Sequence, residues 1–129
     1  MSVFTVLLKN QPGELAHIGE LVADRGSNMM LCGVTAGSQG IVALVADDED
    51  AARTALTHAG LDFNERDAIT VRLLDEPGQA ALFARRLADA GVNIEILMPT
   101  RICDGQAELA VCVSDDAAAR NALGDLVVS

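Results

Sequence analysis

Apolar residues fall at every second position in Phe4, Val6 and Leu8, and again in Ile69, Val71 and Leu73. That is the period of a strand with one buried face. A Pro-Gly pair follows each run, and the period then lengthens. Leu15, Ile18 and Val22 in one case, and Ala80, Phe83 and Leu87 in the other, mark one side of a helix. Gly26 and Gly91 stand where a helix C-terminal cap belongs. A strand is expected from Asn28 and from Asn93, then a hairpin, then a returning strand, "IVALVA" or "ELAVCV". Asp48 and Asp115 suit the N-cap of a second helix, whose small-residue face is Ala52, Ala55 and Leu56 in the first case. "LDFNE" (61–65) reads as a fourth strand and "LVVS" (126–129) as a clipped one.

The pattern occurs twice because the residues do. At the offset that takes Thr5 to Thr70, the pairs Val6/Val71, Pro12/Pro77, Gly13/Gly78, Asp24/Asp89, Gly26/Gly91 and Asn28/Asn93 coincide. At the offset that takes Ala43 to Ala110, two residues longer, Asp48/Asp115 and the "AAR" runs at 51–53 and 118–120 coincide. Agreement on this scale marks a duplication. The change of offset falls around "TRICDGQ" (100–106), where Asp104-Gly105 suits a tight hairpin. An even insertion there is expected to lengthen each strand by one residue and keep every side chain on its face. The boundaries predicted are 1–66 and 67–129, with "RDAIT" (66–70) running straight into the second unit. Units of this size are marginal alone, so the two are expected to share a joint.

Composition narrows the possibilities. The chain has 129 residues, is 50% hydrophobic and 22% charged, and carries a formal charge of −10. The acidic balance excludes a phosphate-binding surface, and three Phe with no Tyr or Trp leave no stacking platform for bases. No nucleic-acid partner is expected. "MSVFTVLLKN" lacks the basic region of a signal peptide, and no stretch reaches the ~20 apolar residues of a membrane span. Cys32, Cys103 and Cys112 match no ligand spacing and read as reduced thiols in a cytoplasmic protein. His17 and His58 fall off the helix core stripes and read as solvated. "DDED" (47–50) lacks the spacing of a calcium loop and reads as N-cap and first-turn acids. No catalytic constellation, metal or cofactor is predicted.

A β-α-β-β-α-β unit with "NQPGELA" at its first strand–helix turn and "LVADRGSN" at the helix end resembles the ACT domain. The second unit does so more closely, with "DEPG" and "LADAGVNI". The fold class implied is α+β: two ferredoxin-like βαββαβ ACT units side by side, each an antiparallel sheet with its helices on one face. The resemblance implies small-ligand sensing, most often of amino acids, at a joint where two units meet through their second strands and first helices. Carried over by position, the ligand-binding residues are Asn10, Gln11, Pro12, Gly13, Glu14 and Leu15 in the first loop. Asp75, Glu76, Pro77, Gly78, Gln79 and Ala80 form the second. Asn28 and Met29, with Asn93 and Ile94, open the second strand of each unit.

The chemistry of these residues agrees with that implication. Free N–H groups at a helix start favour a carboxylate, worth about 0.3–2 kcal/mol. Asn10 offers an ammonium one amide oxygen, whereas Asp75 offers a full charge, so the second mouth is expected to be the better one. The open sheet faces also differ. Leu7, Met30 and Ile41 in the first unit stand where Arg72, Glu95 and Glu108 stand in the second, and the apolar face predicts a homodimer packed through the first unit. The function expected is a non-catalytic amino-acid sensor that reports to a partner enzyme or regulator. The alternatives are an interaction subunit of a biosynthetic enzyme with no ligand of its own, a glycine-cleavage-repressor-like adaptor, and an enzyme on the same fold.

Overall fold

The computed structural model describes residues 1–129. The chain folds as two compact units, Ser2–Arg66 and Asp67–Ser129 with Met1. The first runs β1 (Ser2–Lys9), α1 (Glu14–Ala23), β2 (Met29–Ala36), β3 (Gln39–Ala46), α2 (Glu49–His58) and β4 (Phe63–Asp67). The second runs β5 (Ile69–Leu74), α3 (Gln79–Asp89), β6 (Ile94–Cys103), β7 (Gln106–Val113) and α4 (Asp116–Leu123), then a 3₁₀ turn at Gly124–Leu126. The sheets have the orders β2-β3-β1-β4 and β5-β7-β6, so β2 and β6 are edge strands. The clipped fourth strand of the second unit is a single bridge, Val71 to Val127.

In each unit the alternation of the strands and the 3.6-residue period of the helices meet on one face. Phe4, Val6 and Leu44 pack with Ile18, Ala52 and Leu56 in the first core. Ile69, Val71, Leu109 and Val111 pack with Phe83, Leu87, Ala119 and Leu123 in the second. The aromatic anchor changes place between them. Phe4 on a strand faces Ile18 on a helix in one unit, and Ile69 with Phe83 reverses that assignment in the other; all four are at most 1% exposed. Leu15 departs from the expected core stripe. It is 47% exposed and lines a cavity with Leu8, Gly33, Gly40 and Val42 instead of packing in the core.

Both second helices are closed by their predicted caps. Asp48 accepts from the Ala51 N–H at 3.0 Å and Asp115 from the Ala118 N–H at 2.9 Å. Gly26 and Gly91 follow the first helices with φ of 76° and 71°, the left-handed conformation that ends a helix at little cost only for glycine. The β6–β7 turn is the predicted tight hairpin, with Asp104 at φ 54° and Gly105 at 73°.

The two additional residues of the second unit do not lengthen that hairpin symmetrically. In the first unit β2 and β3 pair without interruption from Met29↔Ala46 to Ala36↔Gln39. In the second, the register shifts between Ile94 and Ile96 and again between Pro99 and Arg101. Both residues sit in β6 as single-residue bulges, at Glu95 and Thr100. Glu95 therefore does not occupy the place of Met30. Met30 pairs with Val45, and Ile96 pairs with Cys112, the residue equivalent to Val45.

Candidate functional site

The two Pro-Gly turns have the same backbone. Gly13 and Gly78 are the N-caps of α1 and α3, with φ of 91° and 88°. A Cβ at either position would meet nothing within 4 Å, so it is the left-handed backbone that calls for glycine, not crowding. No side chain caps either helix, in contrast to the Asp caps of α2 and α4. Each loop is tied by its backbone to the hairpin of its unit: Asn10 N–H donates to Ser38 O at 2.9 Å, and Asp75 N–H to Gly105 O at 2.8 Å.

The difference between Asn10 and Asp75 has a structural consequence. Asn10 Nδ2 donates to Gly37 O at 3.0 Å, a second clasp between loop and hairpin. A carboxylate cannot donate, and Asp75 makes no such bond. Beside Asn10, Gln11 Nε2 donates to Glu14 Oε1 at 2.9 Å, which fixes that carboxylate across the first turn of α1.

A slot of about 360 Å³ opens at the first loop. Its floor takes residues from two cross-strand rows, Leu8–Gly40–Thr35 and the Val42–Gly33 part of Val6–Val42–Gly33, with a glycine in each. Leu15 overhangs the slot, and Lys9, Asn10, Gln11 and Glu14 stand at its mouth. On the other side of the same loop lies a broader cavity of about 640 Å³, reaching Ser38, Gln39 and Asp62. The loop Asp75–Ala80 lines neither of these. Nor does it line the third cavity, about 250 Å³ around Arg72, Arg101, Asp104 and Glu108.

The sequence equivalents account for the contrast between the two loops. In the second unit the floor rows read Leu73–Ala107–Ile102 and Val71–Leu109–Pro99. Ala107 replaces Gly40, Ile102 replaces Thr35, Leu109 replaces Val42 and Pro99 replaces Gly33, and each change adds side-chain volume. The mouth changes too: Leu74, Asp75, Glu76 and Gln79 stand where Lys9, Asn10, Gln11 and Glu14 stand. The first mouth thus carries a cation and an anion; the second carries two acids and no cation. Lys9, Gly33, Thr35 and Gly40 line the slot and are not among the residues expected from the sequence. The available signal was a glycine inside each of two strands, a mark of close backbone approach or of space left for a ligand.

Asn28 and Asn93 lie elsewhere. Their backbones are tied across to the end of the third strand: Asn28 N–H donates to Asp47 Oδ1 at 2.9 Å, and Asn93 N–H to Ser114 Oγ at 2.9 Å. Asn28 precedes β2, whereas the Pro-Gly loop sits by the far end of that eight-residue strand. At ~3.3 Å per residue the two are roughly 25 Å apart. Asn28 and the loop Asn10–Gly13 of the same unit therefore stand at opposite ends of β2, while the Met29 side chain reaches α1 at Gly19, one turn from Leu15.

The acidic run 47–50 is absorbed by structure. Asp47 Oδ1 accepts from Ser27 Oγ at 2.8 Å, and this bond, with the Asn28 N–H, holds its carboxyl below the usual range against a small opposing effect of burial. Glu49 accepts from the Ser2 N–H at 3.1 Å, and Asp50 pairs with Arg53 at 2.6 Å. Arg53 also holds Glu65 on β4, whose carboxyl is lowered chiefly by that bond, opposed by burial and supported by Ser2 Oγ. His58 Nδ1 lies 2.9 Å from Arg25 Nη2. No three His, Cys, Asp or Glu side chains converge as metal ligands, and no helix is long and apolar enough to cross a membrane.

Away from the helices, one cross-strand row of the first unit is Leu7–Ile41–Val34, exposed by 45%, 45% and 65%, with Met30 exposed by 46% farther along β2. The equivalent row of the second unit is Arg72–Glu108–Arg101, in which Arg72 Nη2 meets Glu108 Oε1 at 2.7 Å. The edges differ in the same sense. β2 is eight residues without charge, proline or bulge, whereas β6 carries Pro99, Glu95, Arg101 and two bulges.

Solved structures match this chain closely in shape. The structure of protein BT0572 from Bacteroides thetaiotaomicron superposes with a TM-score of 0.83 and 23% identity, covering 96% of this chain and 86% of that one. The ligand-free regulatory subunit of aspartate kinase from Thermus thermophilus gives 0.70 and 21%, covering 97% and 91%. That from Thermus flavus gives 0.64 and 20%, covering 97% and 90%. No family model and no curated protein matches the sequence. The likeness establishes the fold: the chain is a tandem of two ferredoxin-like βαββαβ units, the fold that the regulatory subunits of aspartate kinase share.

Proposed function

We propose that the chain is a non-catalytic regulatory protein that binds a free amino acid at the mouth of its first unit and reports it to an enzyme or regulator. The observation that carries this reading is the slot beside the first Pro-Gly turn, with Lys9 and Glu14 at its mouth. A zwitterion needs a cation for its carboxylate and an acceptor for its ammonium; Lys9 and the uncapped start of α1 serve the first, Glu14 and Asn10 Oδ1 the second. Asp75, with its greater charge, favours the second mouth for the ammonium alone. The slot and the paired charges favour the first for the whole molecule. The similarity to regulatory subunits of aspartate kinase supports a regulatory role, with a partner enzyme as the receiver. The three free thiols suit a reducing cytoplasm.

Thermal-shift titration with the proteinogenic amino acids tests this reading. A ligand at 100 times its Kd adds about 2.7 kcal/mol of stability, and Glu14→Ala removes the response. No shift with any amino acid would leave the second reading standing, an interaction subunit without a ligand. The bare edge of β2 and the exposed row Leu7–Ile41–Val34 favour that alternative, since unprotected edges and apolar faces are pairing surfaces. They also favour a homodimer through the first unit. Light scattering on Leu7→Glu and Ile41→Glu then gives half the wild-type mass; an unchanged mass sinks the homodimer.

A further inference from the structure

We infer that the slot of the first unit selects amino acids with an aliphatic side chain, and that Gly33 and Gly40 set its depth. This rests on the reading of the first mouth as an amino-acid site and adds the identity of the side chain. Beneath the mouth, the floor is made of Leu8, Val42 and the two glycines, with Leu15 above it. Thr35, on edge strand β2, supplies the single side-chain polar atom of these two rows. Below its mouth such a slot offers apolar contact with one hydroxyl and no charged group, so a charged or amide side chain would lose most of its water without replacement. A volume of about 360 Å³ lies in the range of small-ligand pockets.

The glycines are not needed by the backbone. Neither Gly33 nor Gly40 has a positive φ. A Cβ at Gly33 would meet Val42 Cγ2 at 3.6 Å, and one at Gly40 would meet Thr35 Cγ2 at 3.8 Å and Leu8 Cβ at 3.9 Å, all ordinary contacts. A strand glycine that could carry a side chain without strain forgoes packing and backbone rigidity. The second unit, with Pro99 and Ala107 at these positions, shows that the same sheet accommodates larger residues. Space is what the two glycines provide. Each Cβ would project from the helix-facing side of the sheet, where the slot lies, so substitution shortens the slot from its floor.

The test is isothermal titration of the full chain with L-leucine, L-isoleucine and L-valine, against L-threonine, L-aspartate and L-lysine. The expected result is binding of the aliphatic set at least ten-fold tighter than the polar set. Gly33→Val is expected to weaken leucine binding at least ten-fold with an unchanged or higher melting temperature, since a β-branched residue fits the strand. Gly40→Ala is expected to shift preference from leucine toward valine. Binding of the polar set alone would overturn the selectivity and leave the amino-acid site standing. Leucine binding unaffected by Gly33→Val would overturn the role of the slot. No binding by any of the six would overturn the inference, and silence across all proteinogenic amino acids in the thermal-shift series would end the amino-acid reading as well.

Discussion

The two units of this chain are the same fold from the same ancestral repeat, and they differ least where they are dry. Core positions keep their apolar character and roughly their volume, even where Phe and Ile trade places between strand and helix. The divergence is at the rims. One unit has a glycine-floored slot, a mouth with both charges, an apolar open row and a bare edge strand. The other has a filled floor, an acidic mouth, an Arg–Glu–Arg row and an edge broken by proline and bulges. Close packing explains the division, because interior volume is constrained to within a methylene or so while the rim is free to be recruited or protected. The rims are unequal on equal cores, and the proposed ligand site and pairing surface both fall on the first unit.

The cores offer the largest test of that comparison. Phe4→Ala and Phe83→Ala each remove a fully buried ring and are expected to cost about 3–5 kcal/mol in urea denaturation. Exchanging the pair in the first unit, Phe4→Ile with Ile18→Phe, is expected to cost less than the sum of its single changes, because it reproduces the volume assignment of the second unit. Additive costs would mean that the two cores are not interchangeable solutions.

Next in size is the rim. Giving the first unit one floor row of the second, Gly40→Ala with Thr35→Ile, is expected to abolish a leucine stabilisation of about 2.7 kcal/mol at 100 times Kd. It should also add roughly 0.5–1 kcal/mol to the ligand-free protein, since a strand glycine is lost. Thermal melts with and without leucine separate the two effects. Smaller still, and equal in the two units, are the caps: Asp48→Ala and Asp115→Ala should each cost about 1 kcal/mol by chemical denaturation.

The smallest effect distinguishes the fourth strands. Glu65 on β4 is held by Arg53 and Ser2 and its carboxyl is lowered, whereas the second unit has backbone ties there, the Val71–Val127 bridge and the bonds of Thr70 with Val128 and Ser129. A carboxylate whose folded pKa is depressed contributes stability that is present above its unfolded pKa and is lost as pH falls through the folded value. Glu65→Gln should therefore reduce stability at neutral pH and flatten the decline on the acid side of pH ~4.5. A pH–stability profile identical to wild type would show that the clasp adds nothing.

Much of the fold was legible because local and long-range signals agreed. The strand alternation, the helix stripes, both Asp caps and the Asp104-Gly105 turn each follow from short-range chemistry that the core does not override. Leu15 stays out of the core because periodicity reports which side of a helix is apolar, not whether the strands across from that turn carry side chains large enough to meet it. The bulges at Glu95 and Thr100 escaped because an offset of two residues does not say which strand carries them. The site was legible only in outline. Pro-Gly marked the loops, but the slot depends on which residues stand opposite one another across three strands, and register is not written in any single strand.

The sequence by itself determined the duplication, the order of elements in each unit and the dry side of the first strands and of most helix positions, because periodicity and turn chemistry act between near neighbours. Tertiary structure alone decided that Asn28 and the Asn10 loop lie at opposite ends of one sheet, that Gly33 and Gly40 fall in adjacent rows, and that Lys9 and Glu14 share a mouth. Those facts depend on strand pairing and chain reversal, which bring together residues that no local pattern connects.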